Sequence, residues 1–291
     1  MGALVEGLAH IISGLAVGSI YAAMALGLTL VYGLLKILHI AHAGVFVVGA
    51  YAAYIAYSAT GNIAIAVLAS IAATSVYGVI LAKSIYLPLM DKPRHIPLML
   101  SIAIYLLTEE VVANVFGHYP KGFRFHGFGG SLNWGVLRID VTGLTAILVT
   151  LASTLALWLL LKRTRIGISS QALSQDMETA KALGVNVPRV VYINFALGSA
   201  FAGIAAIMYG LYYGSISPYM GDVVAYKALV VIVLGGFGSV MGALLGGLIL
   251  GVAEELLTAY FSYILPREAY AFIVLIVLLI LRPQGLLGRR V

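Results

Sequence analysis

The sequence predicts an all-α integral membrane protein: a polytopic bundle of about eight transmembrane helices, with nine possible, and a coupling helix on the cytoplasmic face. Hydrophobic residues make up 62% of the chain and charged residues only 10%. That is too little polar surface to cover a water-soluble globule. Apolar stretches recur along the whole length, and several reach the roughly 20 residues that cross a bilayer as a helix. A single membrane domain over residues 1–291 is the simplest partition.

Apolar stretches bounded by Gly, Pro or charged residues define the predicted spans. One further stretch, 223–234, is apolar but falls short of a full span. A tilted short helix, a half-helix and a re-entrant segment are all compatible with its length. The predicted spans are 8–32, 40–58, 62–87, 96–117, 143–161, 190–212, 240–260 and 265–281.

Lysine and arginine in the short loops predict the orientation, because basic loops stay in the cytoplasm. Segment 161–189, the loop before residue 96 and the tail after residue 281 are basic and are placed inside. Segment 118–141 lies one span away from two of these, so it is placed outside. The first Lys or Arg is Lys36, which favours an outside N-terminus if the chain crosses nine times.

Segment 162–189 is longer than a bare connection needs and contains good helix formers. Ser174 is a candidate N-cap, Met177, Ala180 and Leu183 share a spacing of three, and Gly184 suits the left-handed position that ends a helix. A partner-docking helix and a chance interfacial helix both fit this pattern. A helix seated in a soluble motor would transmit movement to the attached spans.

The chain carries no ATP-binding motif of its own, because no G-x-x-x-x-G-K-[ST] phosphate loop occurs in it. The run that begins at Gly235 lacks the lysine that would contact nucleotide phosphates. We therefore expect a non-catalytic subunit that binds no cofactor, with ATP and magnesium used by separate ATPase subunits. Basic residues lie between apolar segments rather than along one stripe, so no nucleic-acid partner is expected.

The outer segment 118–141 interleaves aromatic, glycine and basic residues without helical periodicity, which predicts a loop or a small hairpin. An interfacial aromatic belt is one interpretation. A docking surface for an extracellular solute-binding protein is the other, with Lys121, Arg124 and Trp134 as candidate contacts.

Two breaks rich in Tyr, Ser and Gly are candidates for the translocation path, since broken helix ends at membrane depth offer backbone donors and acceptors to a polar solute. The first is at Tyr32, and the second contains Tyr213, Ser217 and Tyr219. An ordinary outer turn is the alternative for the second break.

His39 and His42, three residues apart at the start of a span, are candidates to line the same path or to cap a helix. Metal ligation would need a third ligand at a diagnostic spacing, and none is present. No metal site is predicted.

Acidic and basic side chains inside apolar segments are costly, so they face a cavity, another charge or the interface. Glu109 and Lys227 lie deepest and motivate a competing class, an ion-coupled transporter or channel. A membrane-embedded enzyme using His39, His42 and Glu109 is a further alternative without a supporting motif. The glycines between residues 235 and 251 permit close helix contact, within one bundle or against a second permease.

Several segments together resemble the branched-chain amino acid permeases of ATP-binding-cassette importers, of the LivH type. The run from Gly18 to Gly33 resembles the family's first span. Ala41-His-Ala-Gly-Val-Phe-Val-Val-Gly-Ala-Tyr is similar to its N-F-A-H-G-E-x-F-x-x-G-A-Y element, with His39 in place of the Asn, Ala43 of the Gly and Gly44 of the Glu. Glu178-Thr-Ala-Lys-Ala-Leu-Gly184 resembles the E-A-A-x-x-x-G motif that docks the ATPase.

The resemblance implies a permease of the prokaryotic plasma (inner) membrane that imports branched-chain amino acids by alternating access. It implies three kinds of partner: a second permease that is a LivM-like homologue or a second copy, two cytoplasmic ATPases, and an extracytoplasmic solute-binding protein. Glu178, Thr179, Ala180 and Gly184 would form the ATPase-docking site. Relatives that move urea, short amides or other amino acids are the alternative for the solute.

Overall fold

The structure is a computed structural model that describes residues 2–125, 130–134, 137–261 and 263–288. A π-helical turn, Ala82–Tyr86, extends the third helix. The helices are α1 (Gly2–Leu35), α2 (His42–Thr60), α3 (Ile63–Leu81), α4 (His95–Phe116), α5 (Val141–Arg163), α6 (Arg165–Gln175), α7 (Met177–Ala182), α8 (Val187–Tyr213), α9 (Met220–Gly235), α10 (Val240–Phe261) and α11 (Arg267–Leu281). The short strands are β1 (Lys121–Gly122), β2 (Ser131–Trp134), β3 (Leu137–Asp140) and β4 (Ser215–Ile216).

Seven helices within the described ranges are long and apolar enough to cross a membrane: α1 to α5, α8 and α10. Each coincides with a predicted span, so the polytopic all-α class is confirmed. The predicted span 265–281 forms α11, which has 15 residues. A helix of that length reaches about 22 Å, less than the roughly 30 Å of the hydrocarbon layer.

The ambiguous stretch 223–234 lies within α9, which has 16 residues and runs from one side of the bundle to the other. Its N-terminal end follows β4, and β4 pairs with β1 of the outer segment. Its C-terminal end is held by the chain tail, where the Leu286 N–H donates to the Leu234 carbonyl at 2.8 Å. The two ends of α9 therefore lie on opposite sides of the bundle, although its 16 residues reach only about 24 Å and it is not among the seven helices that are long enough to cross a membrane.

The end of α1 lies on the same side as the end of α9. The Tyr32 ring packs against Phe237, which follows α9, with ring centroids 4.6 Å apart. Residues of the 162–189 segment line a cleft together with these two rings. Because α1 ends on the side of the basic segment, its N-terminus lies on the opposite side, as an outside start requires.

Helix α1 packs against α10 through glycines on both helices, which lets the two backbones touch. A Cβ added at Gly14 would lie 2.7 Å from the Val252 Cα, and one added at Gly18 would lie 2.6 Å from the Gly247 carbonyl oxygen. Neither distance is compatible with a side chain, so the helix spacing depends on these glycines. The prediction of a glycine-mediated contact within the bundle agrees with this geometry.

We expect Gly18→Ala to destabilise the protein, because the new methyl group would force α1 and α10 apart. Overpacking of this kind costs about 1–3 kcal/mol. Gly33→Ala is the matched control on the same helix, since its Cβ would meet its nearest neighbour, the Gly238 Cα, at an ordinary 3.7 Å. Thermal unfolding in detergent measures both variants, and equal unfolding temperatures would contradict the close-packing argument.

Candidate translocation and docking sites

The cytoplasmic segment 162–189 contains two helices, α6 and α7, rather than the one helix predicted from Ser174. Ser174 is not an N-cap, because it lies inside α6 and its hydroxyl donates to the Gln171 carbonyl at 2.8 Å. Helix α6 already begins after Thr164, whose side-chain oxygen accepts from the Gly167 N–H at 3.1 Å. The prediction missed this earlier cap, which is equally strong locally.

Asp176 is the N-cap of α7. Its Oδ1 accepts from the N–H groups of Glu178 at 3.0 Å and Thr179 at 3.2 Å. The Thr179 hydroxyl donates to Oδ2 at 2.5 Å. The Thr179 hydroxyl, together with the backbone N–H groups, favours the charged carboxylate and lowers the pKa of Asp176. The cap is therefore ionised at neutral pH and is lost only as the pH falls through this lowered pKa.

Gly184 ends α7 in the left-handed conformation that its sequence position predicts, with φ +85°. The Val185 N–H donates to the Ala180 carbonyl at 3.0 Å and the Gly184 N–H to the Lys181 carbonyl at 2.9 Å. These two bonds form a Schellman motif, in which glycine carries no steric penalty. A six-residue helix is thus closed at both ends by its own sequence.

Four of the six residues of α7 are exposed: Glu178, Thr179, Lys181 and Ala182. Two of them, Glu178 and Thr179, are predicted docking residues. Ala180 is also a predicted docking residue, but it is buried against the core, so a partner cannot contact its side chain. Leu183 does not share the buried face expected from its spacing, because the helix ends at Ala182 and the Leu183 side chain is 78% exposed. An exposed leucine beside a capped helix is a candidate contact that periodicity missed.

Helix α6 ties this exposed element to two membrane spans. The Gln171 side-chain amide donates to the Leu161 carbonyl at the end of α5, at 2.7 Å. The Asn194 side-chain amide on α8 donates to the Ser170 hydroxyl at 2.8 Å, and both groups are buried. Movement of α7 would therefore be transmitted directly to α5 and α8.

The predicted path residues fall at three different depths and do not form one site. Tyr32 is at the cytoplasmic end of α1 and lines the cleft there. Tyr213, Ser217 and Tyr219 follow the outer end of α8, where the Tyr219 hydroxyl bonds the His118 Nδ1 at 2.7 Å. Their role in transport therefore stays a prediction.

His39 and His42 lie at the interrupted connection between α1 and α2, and both are fully buried. The His39 Nδ1 and the Tyr86 hydroxyl share a hydrogen bond of 2.6 Å. The other ring nitrogen of His39 and both nitrogens of His42 have no hydrogen-bond partner. Within the described ranges, no three His, Cys, Asp or Glu residues are grouped to hold a metal ion.

The helices around these histidines are in close contact at two glycines. A Cβ at Gly27 would overlap the Gly198 carbonyl oxygen and lie 2.7 Å from the His42 Nε2. A Cβ at Gly78 would overlap the Ser199 hydroxyl in the same way. At these two points α8 therefore approaches α1 and α3 almost backbone to backbone, which leaves no room for a solute there.

The outer segment forms two small antiparallel pairs, β1 with β4 and β2 with β3, which agrees with the predicted loop or hairpin. Phe123 and Phe125 are buried, whereas Arg124 between them is exposed and Lys121 in β1 is half-buried. Trp134 is the last residue of β2, at the tip of the hairpin. Residues 126–129 and 135–136 of this segment lie outside the described residues.

Buried and partly buried charged side chains of α9, α10 and α11 form a network of ion pairs. The Lys227 Nζ lies 2.5 Å from Glu254 Oε1 and donates to the Tyr21 hydroxyl at 2.7 Å. Arg267 on α11 also reaches Glu254, at 3.1 Å, and bonds Glu255 at 2.9 Å. The sequence places opposite charges in neighbouring apolar segments, and contact with another charge was one of the three interpretations given for them.

Glu109 on α4 is the other deep charge, and it lies near an acidic partner rather than a basic one. The Tyr105 hydroxyl, one helical turn earlier, donates to Asp222 on α9 at 2.5 Å. Glu109 Oε1 is buried without a hydrogen-bond partner. This carboxyl is thus not part of the ion-pair network around Lys227.

The traversing helices, the glycine-packed interior and the cytoplasmic helix pair define a multi-pass α-helical protein of the membrane-permease class. The family described as "Branched-chain amino acid transport system / permease component" matches residues 10–282. The chain belongs to this family and is a multi-pass protein of the prokaryotic plasma membrane.

Individual relatives match over nearly the full length. The chain is 33% identical to the high-affinity branched-chain amino acid transport system permease protein LivH of Escherichia coli K12, with 97% of this chain and 96% of LivH covered. It is 34% identical to the corresponding protein BraD of Pseudomonas aeruginosa, with the same coverage. The permease protein LivM of Escherichia coli is 29% identical over 52% of this chain and 35% of its own length. The resemblance drawn from the motifs is confirmed.

Proposed function

We propose that this chain is the transmembrane permease subunit of an ATP-driven importer for branched-chain amino acids. The names of the full-length relatives LivH and BraD support this transport function. The subunit is non-catalytic: partner ATPases use ATP and magnesium, and their movement drives alternating access through the permease.

One observation carries the coupling part of the proposal. Helix α7 is exposed and closed at both ends, whereas α6 beside it is hydrogen-bonded to α5 and α8. An isolated helix of six residues would not be stable in water. The two caps stabilise α7, so it presents an ordered surface to a partner. Glu178, Thr179 and Leu183 provide the accessible surface, and two ATPases would engage one such surface in each permease.

The path lies between two permeases rather than inside this chain. The close backbone contacts at Gly27 and Gly78, which bring α8 against α1 and α3, support a path at a surface shared with a second subunit. A LivM-like homologue or a second copy would supply the other wall, and the partial similarity to LivM supports the former. An external binding protein would deliver the solute at the side of Lys121 and Arg124.

Transport by proteoliposomes tests the proposal. The chain is reconstituted with two ATPases, a LivM-like permease and a solute-binding protein, and labelled leucine is added outside. We expect uptake only with ATP on the ATPase side, with competition from isoleucine and valine but not from urea or acetamide. Competition by urea or short amides alone would assign the other solute class.

The buried Glu109 Oε1, which has no hydrogen-bond partner, supports a second candidate, an ion-coupled transporter. The same vesicles separate the two functions. Uptake that continues without ATP and stops when the ion gradient is dissipated would contradict the ATP-driven proposal and favour this one.

The capping geometry of α7 makes a further prediction. Asp176→Ala removes the oxygen that accepts from Glu178 and Thr179, so α7 should fray and leucine uptake should fall several-fold. Asp176→Asn keeps a capping oxygen and should retain most of the uptake. The uptake rate at equal membrane expression is the measurement, and an equal loss in both variants would contradict a capping role.

A further inference from the structure

A cleft of about 990 Å³ opens at the cytoplasmic end of the bundle. The end of α1 forms its floor, α5 and α6 form one wall, and the α9–α10 turn and the chain tail form the other. Its deepest residue on α1 is Thr29, about 9 Å above Leu35 at the helix end. The cleft therefore reaches about 9 Å into the bundle from the end of α1.

The cleft is lined by both polar and apolar groups. The wall contributed by α6 carries Gln171, Ser174 and Gln175, while the opposite wall carries the apolar Val240 and Met241 together with the polar Ser239 and Gln284. Beyond the cleft, α5 and α10 continue with exposed apolar side chains toward the membrane interior: Leu151 and Leu155 on α5, and Leu245 and Ile249 on α10. A ligand with a polar head at the interface and an apolar body in the bilayer matches this arrangement.

The charge in the cleft has one sign. Among the described residues that line it, the charged ones are Lys36 and Lys162, both exposed. The Lys162 ammonium lies 4.5 Å from the centroid of the Trp158 ring, an interfacial pairing that holds the cation at the mouth. Lys36 lies at the rim of the cleft, where α1 ends. It has a left-handed conformation with φ 56°, which is strained for a residue other than glycine.

A buried hydroxyl points to a missing partner inside the cleft. Thr29 is 2% exposed, lines the cleft, and its Oγ1 has no hydrogen-bond partner. A buried hydroxyl without a partner costs free energy, so an acceptor or donor from a ligand would remove that cost. This observation is independent of the two lysines.

We propose that the cleft binds an anionic phospholipid of the cytoplasmic leaflet, with the phosphate headgroup between Lys36 and Lys162 and the glycerol region near Thr29. A zwitterionic amino acid fits less well, because no described lining residue is acidic and its ammonium group would have no counter-charge. Basic pockets between transmembrane helices on the cytoplasmic side suit lipid headgroups of this kind. The bound lipid would brace the turn that follows α9 against α1.

Lipid titration followed by native mass spectrometry tests the site. The full-length chain is purified, delipidated, and titrated with phosphatidylglycerol and separately with phosphatidylcholine. We expect phosphatidylglycerol to bind more tightly. Each lysine contributes roughly fivefold to the affinity for an anionic lipid, so Lys36→Gln with Lys162→Gln should weaken phosphatidylglycerol binding about 30-fold and leave phosphatidylcholine unchanged.

Two further variants keep the result interpretable. Lys83→Gln with Lys92→Gln removes two exposed lysines elsewhere on the cytoplasmic side and should leave binding unchanged. Thr29→Val preserves the shape of the floor, so it tests the site even if the double lysine variant fails to fold. It should weaken phosphatidylglycerol binding by roughly fivefold.

Three outcomes would overturn the proposal. Equal binding of both lipids would remove the headgroup specificity, and an equal loss in the Lys83/Lys92 variant would reduce the effect to general surface charge. Binding of inorganic phosphate as tightly as phosphatidylglycerol would assign the cleft to a soluble anion. None of these results bears on leucine uptake, so the proposed transport function is tested separately.

Discussion

We expect Glu254→Gln to lower the free energy of unfolding more than any other substitution proposed for this chain. Glu254 is fully buried and accepts from both Lys227 and Arg267. Lys227 is itself only 2% exposed, so the substitution leaves an ammonium group in the bundle without a counter-charge. Breaking a buried pair in this way costs about 3–5 kcal/mol.

The neighbouring Glu255 provides the matched control. It also bonds Arg267, but its side chain is 19% exposed and the arginine 31%. Partly hydrated pairs contribute far less, about 0–1 kcal/mol, so Glu255→Gln should unfold close to the wild-type temperature. Thermal unfolding of the detergent-solubilised protein compares the two variants.

A compensating substitution separates the lost charge from a lost shape. Lys227→Met added to Glu254→Gln removes both charges and keeps side chains of similar length, so stability should largely return. Failure of the double variant to recover, or a wild-type unfolding temperature for Glu254→Gln alone, would contradict the assignment of this pair as a structural ion pair between α9 and α10.

Gly184→Pro should abolish solute uptake while the protein still inserts in the membrane. Proline fixes φ near −65°, whereas Gly184 has φ +85°, and it removes the N–H that donates to Lys181. The Schellman end of α7 cannot form, so the surface around Glu178 and Leu183 is lost. Asparagine tolerates the left-handed conformation, and Gly184→Asn should therefore retain most of the uptake.

Charge reversal at Glu178 tests the same surface without altering the backbone. Glu178 is exposed in the first turn of α7 and makes no ion pair among the described residues, so Glu178→Lys should leave folding intact and abolish uptake by repelling the docked ATPase. Membrane fractionation and immunoblotting establish insertion for each variant. Normal uptake by both Gly184→Pro and Glu178→Lys would remove α7 as the docking element.

The local sequence predicted the C-terminal end of α7 correctly but not its start, and the reason is physical. Gly184 was identified because a left-handed helix end has essentially one suitable residue. The start was placed at Ser174 instead of Asp176, since both residue types cap helices and nothing nearby in sequence distinguishes them. The choice is made by α6, which is held to α8 by the Asn194 side chain and continues through Ser174.

The short helix α9 illustrates a second limit. The apolar stretch 223–234 left a tilted short helix, a half-helix and a re-entrant segment open, because it is shorter than the roughly 20 residues of a full span. Its two ends are placed by contacts distant in sequence: the pairing of β4 with β1 at one side and the tail bond to Leu234 at the other. The ion pair of Lys227 with Glu254 likewise depends on how α9 and α10 are rotated about their axes.

By itself the sequence determined that this chain resides in lipid, seven of the stretches that are long enough to cross it, the end of the cytoplasmic helix at Gly184 and the family to which the chain belongs. These features follow from composition, run length and local capping, all of which act over a few residues at a time. Only the tertiary structure decided which buried charges meet, which helices touch backbone to backbone at their glycines, and that a basic cleft opens beside α6. Those outcomes depend on the rotation and depth of helices far apart in the chain, and packing between helices sets both.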